Sequence, residues 1–133
     1  MYRVEVLDRI KTPLVNKFYD QYSVKGRANK QDQLWVVYYK AQIVAACRLQ
    51  NKDDFLFLST VFVAPEYRSK GLAKLLISTL LKRQNKTIYT FAYKNLADLY
   101  HSIGFNQVLT YTLALQALFN IYTHRNIVAL KYP

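Results

Sequence analysis

Apolar and polar positions alternate over residues 2–7 (YRVEVL), which predicts a strand. Thr12-Pro13 then looks like an N-cap followed by proline at the first helical position. Leu14, Val15, Phe18, Tyr19 and Tyr22 follow at helical spacing. The basic polar stretch VKGRANKQDQ, residues 24–33, reads as a loop or a short second helix. Two β-rich runs come next, 34–39 (LWVVYY) and 42–50 (QIVAACRLQ), joined at Lys40-Ala41 as a tight hairpin. After a turn at 51–54, residues 55–63 (FLFLSTVFV) read as a long, mostly buried strand that Pro65 stops.

The period then becomes helical over 70–84. Leu72, Ala73, Leu76, Ile77, Leu80 and Leu81 form one stripe, with Lys74, Ser78 and Lys82 opposite. Residues 86–92 predict a strand. Leu96, Leu99, Tyr100 and Ile103 predict a helix closed by Gly104. A short strand at 105–109, a helix carrying Ala114, Leu115, Leu118, Ile121 and Tyr122, and a strand at 127–132 complete the chain. The order β-α-βββ-α-β-α-β-α-β predicts one α/β domain over residues 1–133, a mixed sheet flanked by helices.

Composition narrows the function classes. With 52% apolar residues in 133, the core needs no metal or disulfide support. Cys47 is the only cysteine, which excludes an intrachain disulfide and suits a reducing compartment. The segment MYRVEVLDRIK has no apolar run of signal-peptide length, and no stretch approaches the roughly 20 apolar residues of a membrane span. The expectation is a cytoplasmic protein without a membrane partner. A formal charge of +11 points to acidic partners: nucleic acid, an anionic cofactor or an acidic surface.

The segment VFVAPEYRSKGLAKLL carries the chemistry. A strand ends at Val63, a loop with Arg68, Lys70 and Gly71 follows, and a helix begins at once. Helix N-termini present unpaired N–H groups and the positive end of the macrodipole, a ready site for phosphate. Gly71 lets a ligand approach the backbone closely, Ala73 keeps the first turn uncrowded, and Arg68, Lys70 and Lys74 add charge. An ordinary βα turn with solvated basic residues is the other reading of the same local pattern.

Arg68-Ser69-Lys70-Gly71-Leu72-Ala73 resembles the (Gln/Arg)-x-x-Gly-x-(Gly/Ala) signature of the GNAT N-acetyltransferase superfamily. Leu99-Tyr100-His101-Ser102-Ile103-Gly104-Phe105 is similar to the family's second signature, Tyr-x-x-x-Gly-Phe at a helix end. The resemblance is good over roughly residues 34–105. It implies a GNAT-like acyl-CoA N-acyltransferase fold and transfer of an acetyl group from acetyl-CoA to a primary amine, either a small molecule or a peptide N-terminus. The amides of Ser69, Lys70, Gly71, Leu72, Ala73 and Lys74 would hold the CoA pyrophosphate, with side-chain help from Arg68 and Lys70. The edge of Val61, Phe62 and Val63 would pair with the pantetheine arm, and a backbone N–H there would stabilise charge on the thioester oxygen. Asn95 would touch the cofactor arm. Tyr100 would be the general acid for the departing thiolate, since a phenol stays protonated at neutral pH.

Many relatives carry a glutamate base on the strand before the CoA loop. Here that position is Ser59, with Thr60 beside it, and the expectation is a proton relay through water held by Ser59 or backbone carbonyls. Glu66 is expected at the surface, and Asp53 and Asp54 lie at the strand's far end. No metal is expected, since His101 and His124 lack ligand spacing. Cys47 reads as a small core residue, and most of the 12 tyrosines as packing groups. The acceptor groove would be shaped by residues about 18–30, the hairpins and the 110–126 segment. These are basic or aromatic, which disfavours a strongly cationic acceptor. An amino acid, an amine bearing an anionic group, or a peptide N-terminus remains. The alternative is a weakly catalytic GNAT-like module binding acyl-CoA or nucleic acid. The apolar C-terminal segment would supply any homodimer interface.

Overall fold

Extended, β-branched and aromatic runs dominate the first half of the chain, and they pair in sequence order. In the computed structural model, which describes residues 1–123 and 125–133, strand β1 (Tyr2–Leu7) is followed by helix α1 (Thr12–Gln21). Strands β2 (Gln33–Tyr39), β3 (Gln42–Asn51) and β4 (Leu56–Val63) come next. Helix α2 (Leu72–Leu81), strand β5 (Ile88–Tyr93) and helix α3 (Ala97–Ile103) follow, then β6 (Asn106–Gln107), α4 (Leu113–Asn120) and β7 (Ile127–Tyr132). The element order is the one the periodicity predicts.

The strands form one seven-stranded mixed sheet in the order β1-β2-β3-β4-β5-β7-β6. Every neighbouring pair is antiparallel except β4 and β5, which are parallel and joined through α2. A parallel pair needs such a crossover, because a hairpin cannot reverse the chain twice.

Side-chain alternation gives the sheet two unlike faces. On one face Trp35, Val37, Cys47, Leu49, Leu58 and Ile88 pack beneath α2 and α3 as one continuous core. Leu76, Ile77 and Leu80 of α2 are fully buried there, each contributing about 2 kcal/mol by loss of apolar surface to water. The other face carries two separate clusters. Val15, Phe18 and Tyr19 of α1 cover Leu34, Val36 and Ala46, while Leu115 of α4 covers Phe55, Phe57, Tyr89 and Ala129. Between these two coverings the face of β3 and β4 is bare of helix, and polar residues stand there.

Several boundaries differ from the sequence expectation, each for a local reason. Thr12 is not the cap of α1 but its first residue. A 3-10 turn, Arg9–Lys11, runs straight into the helix, and the Thr12 hydroxyl donates back to the Arg9 carbonyl at 2.7 Å. Residues 24–32 form a loop of bends and a turn, the first of the two readings given for that stretch. Helix α2 spans 72–81, not 70–84, because Gly71 is left-handed (φ 76°) and the chain unwinds into turn bonds after Leu81. The strand expected at 105–109 is reduced to Asn106–Gln107.

Candidate functional site

The parallel pair does not stay paired. Leu56, Phe57 and Leu58 lie in register with Ile88, Tyr89 and Thr90, and there the pairing ends. Beyond it β4 remains bonded only to β3, and β5 only to β7. The two strands fork, and their inner edges lose their ladder partners. At the apex the Thr90 hydroxyl donates to the Leu58 carbonyl at 2.9 Å. The fork opens into a cleft of about 560 Å³ at the C-terminal ends of parallel strands, where α/β sheets bind ligands.

A β-bulge accompanies the fork. Ala46 faces Phe62 and Arg48 faces Ser59, so two residues of β4, Thr60 and Val61, oppose Cys47 alone. Thr60 adopts φ 53°. The extra residue inverts the alternation. Leu56 and Leu58 point towards α2, and after the bulge it is Val61 and Val63 that do so, while Phe62 turns to α1. The Tyr19 hydroxyl donates to the Thr60 carbonyl at 2.8 Å and ties α1 to the bulge. Burial pushes that phenol's pKa up, keeping it a donor. Of the edge expected to meet a pantetheine arm, Val61 lines the cleft, whereas Phe62 packs among Phe18 and Tyr22.

The turn from β4 to α2 leaves its amides bare. Ser69 and Gly71 are both left-handed, at φ 64° and 76°, so the chain steps off the helical path just before α2 starts. Gly71 occupies the cap position and supplies no side-chain cap. The first helical bond runs from Leu75 N–H to the Gly71 carbonyl, 3.0 Å. Among the described residues, the N–H groups of Ser69, Lys70, Gly71, Leu72, Ala73 and Lys74 donate to no acceptor in the protein. A Cβ added at Gly71 would meet nothing within 4 Å, so the space before these amides is open. Bare amides at the head of a helix are donors of the kind that suit an anion. Lys70 and Lys74 are exposed at its rim. Arg68 folds back instead: its Nε donates to the Val63 carbonyl at 3.0 Å and its guanidinium lies 5.2 Å from the Phe62 ring centre.

Tyr100 stands on α3, lines the cleft, and is only 6% exposed. Phe105 packs edge-on against it at 5.4 Å. Gly104 ends the helix at φ 120°, where a Cβ would come 3.0 Å from Tyr132. Burial, with Cys47 nearby, pushes the phenol's pKa up to about 12, opposed by a hydrogen bond with Thr90. It is therefore a neutral donor throughout the physiological range. Asn95 is exposed in the 3-10 turn Lys94–Leu96, one turn before α3, and Leu96 rather than Asn95 lines the cleft.

Arg48, Gln50 and Ser59 share the bare face, and all three line the cleft. Gln50 Nε2 donates to Ser59 Oγ at 2.8 Å. Arg48 Nε donates to Asp32 at 2.8 Å, and both side chains are largely buried. Sequence reasoning passed over Arg48, Gln50 and Thr90. The signal that marks them is a polar side chain inside an otherwise apolar strand, as in AACRLQ and IYTF. Glu66 is exposed and accepts from the Tyr22 hydroxyl at 3.4 Å, away from the cleft. Cys47 is fully buried and its thiol pKa is driven up by that burial, which suits a core residue. His101 donates from Nδ1 to the Phe105 carbonyl at 2.9 Å, just beyond the end of α3, and His124 lies outside the described residues. Among the described residues no group of three His, Cys, Asp or Glu side chains is placed to hold a metal, and no helix is long and apolar enough to cross a membrane.

The same architecture occurs in solved structures. ElaA from Escherichia coli superposes with a TM-score of 0.71 at 15% identity, covering 100% of each chain. The ribosomal-protein-S18-alanine N-acetyltransferase of Escherichia coli gives 0.71 at 17% identity, over 100% of this chain and 94% of that one. N-acetylglutamate synthase from Neisseria gonorrhoeae, complexed with coenzyme A and N-acetyl-glutamate, gives 0.66 at 11%, over 98% of this chain and 35% of that one. At such identities these likenesses establish the fold: a seven-stranded acyl-CoA N-acyltransferase sheet. No curated protein matches the chain significantly in sequence. The family model described as an acetyltransferase (GNAT) domain matches residues 6–113, most of the chain, including the fork, the bare amide turn and Tyr100, and on that match the chain belongs to the GNAT acetyltransferase family.

Proposed function

We propose that the chain is an N-acetyltransferase that uses acetyl-CoA and acetylates a primary amine, of a small molecule or a peptide N-terminus, by direct attack. The observation that carries this reading is the set of unpartnered amides from Ser69 to Lys74 at the head of α2. Six N–H groups gathered at a helix N-terminus match a diphosphate, and hydrogen bonds to a charged group contribute about 1.5–3 kcal/mol each. Lys70 and Lys74 add charge at the rim, while Arg68 steadies the end of β4 through the Val63 carbonyl.

Bound acetyl-CoA would supply an activated thioester. The unpaired inner edge of β4 beyond Leu58 has backbone groups to spare for the pantetheine amides. A backbone N–H beside the bulge at Thr60 and Val61 would face the negative charge that develops on the acyl oxygen. Tyr100 would give its proton to the departing sulfur. The acceptor would enter from the bare face, where Gln50 and Ser59 hold the site of the absent carboxylate. Ser59 Oγ already accepts from Gln50, so its own hydrogen and one lone pair remain for a water that carries the amine's proton away.

The test is thiol release from acetyl-CoA across an amine panel, with a coenzyme A titration alongside. Turnover that Tyr100→Phe lowers about 10- to 100-fold supports the enzyme; coenzyme A failing to bind overturns it. One observation favours a second reading: among the described residues no Asp or Glu lines the cleft. On that reading the chain is a GNAT-like module that binds acyl-CoA or nucleic acid, and salt-dependent DNA or RNA binding without turnover would support it.

A further inference from the structure

The charged residues lining the cleft are Lys25, Arg48 and Arg125, all basic. Lys25 and Arg125 are exposed at its rim, whereas Arg48 stands on the sheet floor. A guanidinium there is costly to desolvate, and the fold commits further residues to holding it. Its Nε donates to Asp32 Oδ2 at 2.8 Å, and the side chains are 11% and 6% exposed. Asp32 Oδ2 is fixed in turn by the Asn29 N–H at 3.0 Å. Arg48 Nη1 lies 3.5 Å from the Thr60 hydroxyl at the bulge.

Nη2 has no acceptor among the described residues. Yet among the described residues no sealed side-chain nitrogen or oxygen lacks a partner, so Nη2 is reached by solvent, and Arg48 lines the cleft. The guanidinium is thus held at Nε and Nη1, and Nη2 is left free. A guanidinium held in that way is preorganised to give one charge-assisted hydrogen bond to a carboxylate oxygen. Arg48 pairs across the strands with Ser59, and directly opposed residues sit about 5 Å apart at Cβ. An amine carrying a carboxylate a few bonds away would reach both groups at once.

We propose that Arg48 determines acceptor specificity: its free Nη2 takes the carboxylate of an amino-acid acceptor whose amine lies by Gln50 and Ser59, with Asp32 the residue that positions the guanidinium. This rests on the acetyltransferase reading for its use in catalysis, but the carboxylate site itself is tested separately. Asp32 balances one charge, so Lys25 and Arg125 leave the cleft net positive, which excludes polyamines and attracts amino-carboxylates.

The experiment measures binding to the coenzyme A-saturated protein by calorimetry. The ligands are the common amino acids, their carboxamides, and putrescine as a diamine. The expected result is at least one amino acid bound about ten-fold or more tighter than its carboxamide, the loss of one charge-assisted contact. Putrescine should bind weakest. The double variant Asp32→Asn, Arg48→Gln removes both buried charges together, so it leaves neither unpaired, and its melting transition checks folding. In it the preference should fall below about two-fold. A carboxamide or putrescine binding as tightly as the amino acids, no amino acid binding at all, or a preference that survives in the double variant would each overturn the proposal. Amino acids that bind with the expected preference yet release no thiol from acetyl-CoA would sink the acetyltransferase reading and leave the carboxylate site standing.

Discussion

Two successive strand-to-helix turns in this chain begin alike and end differently. Both β4 and β5 leave the sheet through a three-residue 3-10 turn, Pro65–Tyr67 and Lys94–Leu96. In the second turn α3 starts at once, and the Ala97 N–H is taken by the Lys94 carbonyl. The first inserts residues 68–71, with Ser69 and Gly71 left-handed, before α2 begins. With that insertion the first amide of α2 finds no carbonyl, whereas the first amide of α3 is taken. A helix N-terminus becomes an anion site only when the chain ahead of it stops supplying acceptors. The first turn therefore offers bare amides. The second, by joining helix to strand without slack, holds Tyr100 at the apex of the fork.

The largest effect expected is at Gly71. Valine there must adopt φ 76°, which a β-branched residue does at a cost of about 1–3 kcal/mol, and its side chain would fill the open space before the amides. Coenzyme A affinity should drop about 100-fold or more by calorimetry, with circular dichroism unchanged, since two charge-assisted contacts account for that loss. Unaltered binding would break the contrast between the turns. Next comes Tyr100→Phe, which should lower kcat about 10- to 100-fold while leaving coenzyme A affinity within two-fold. The phenol's raised pKa, about 12, carries a sign. The proton is present below that value, so the rate should show no alkaline fall centred near pH 10, the ordinary tyrosine value. The smallest effects separate the two turns directly. Lys70→Ala at the rim should weaken coenzyme A binding a few-fold and flatten its salt dependence, whereas Asn95→Ala on the closed turn should change it by less than about two-fold.

The two turns also divide what could be read from the residues alone. Gly71 and its basic neighbours announced a backbone open to a ligand before a Leu-rich stripe, and Gly104 after Ile103 announced the end of α3, and the structure gives both a positive φ. Residues 55–63 were legible as a strand but not as a bulged one. Nothing local to Leu-Ser-Thr-Val marks Thr60 as the extra residue, because a bulge is a mismatch with β3 and exists only once the strands pair. The consequence for the site is concrete, since the bulge turns the Phe62 side chain to α1 and the Val61 and Val63 side chains towards α2.

What the sequence determined by itself is the order of the elements, the helical and alternating stripes that bury them, and the two signatures with their glycines, because each depends on residues within a few positions of one another. What only the tertiary structure decided is the fork, the bulge and the Asp32–Arg48 clamp. The fork exists because β4 and β5 each find only one partner beyond Leu58 and Thr90. The clamp joins residues 16 apart in sequence. Their value is set by the low polarity around them, and that surrounding is made by the assembled sheet and its helices.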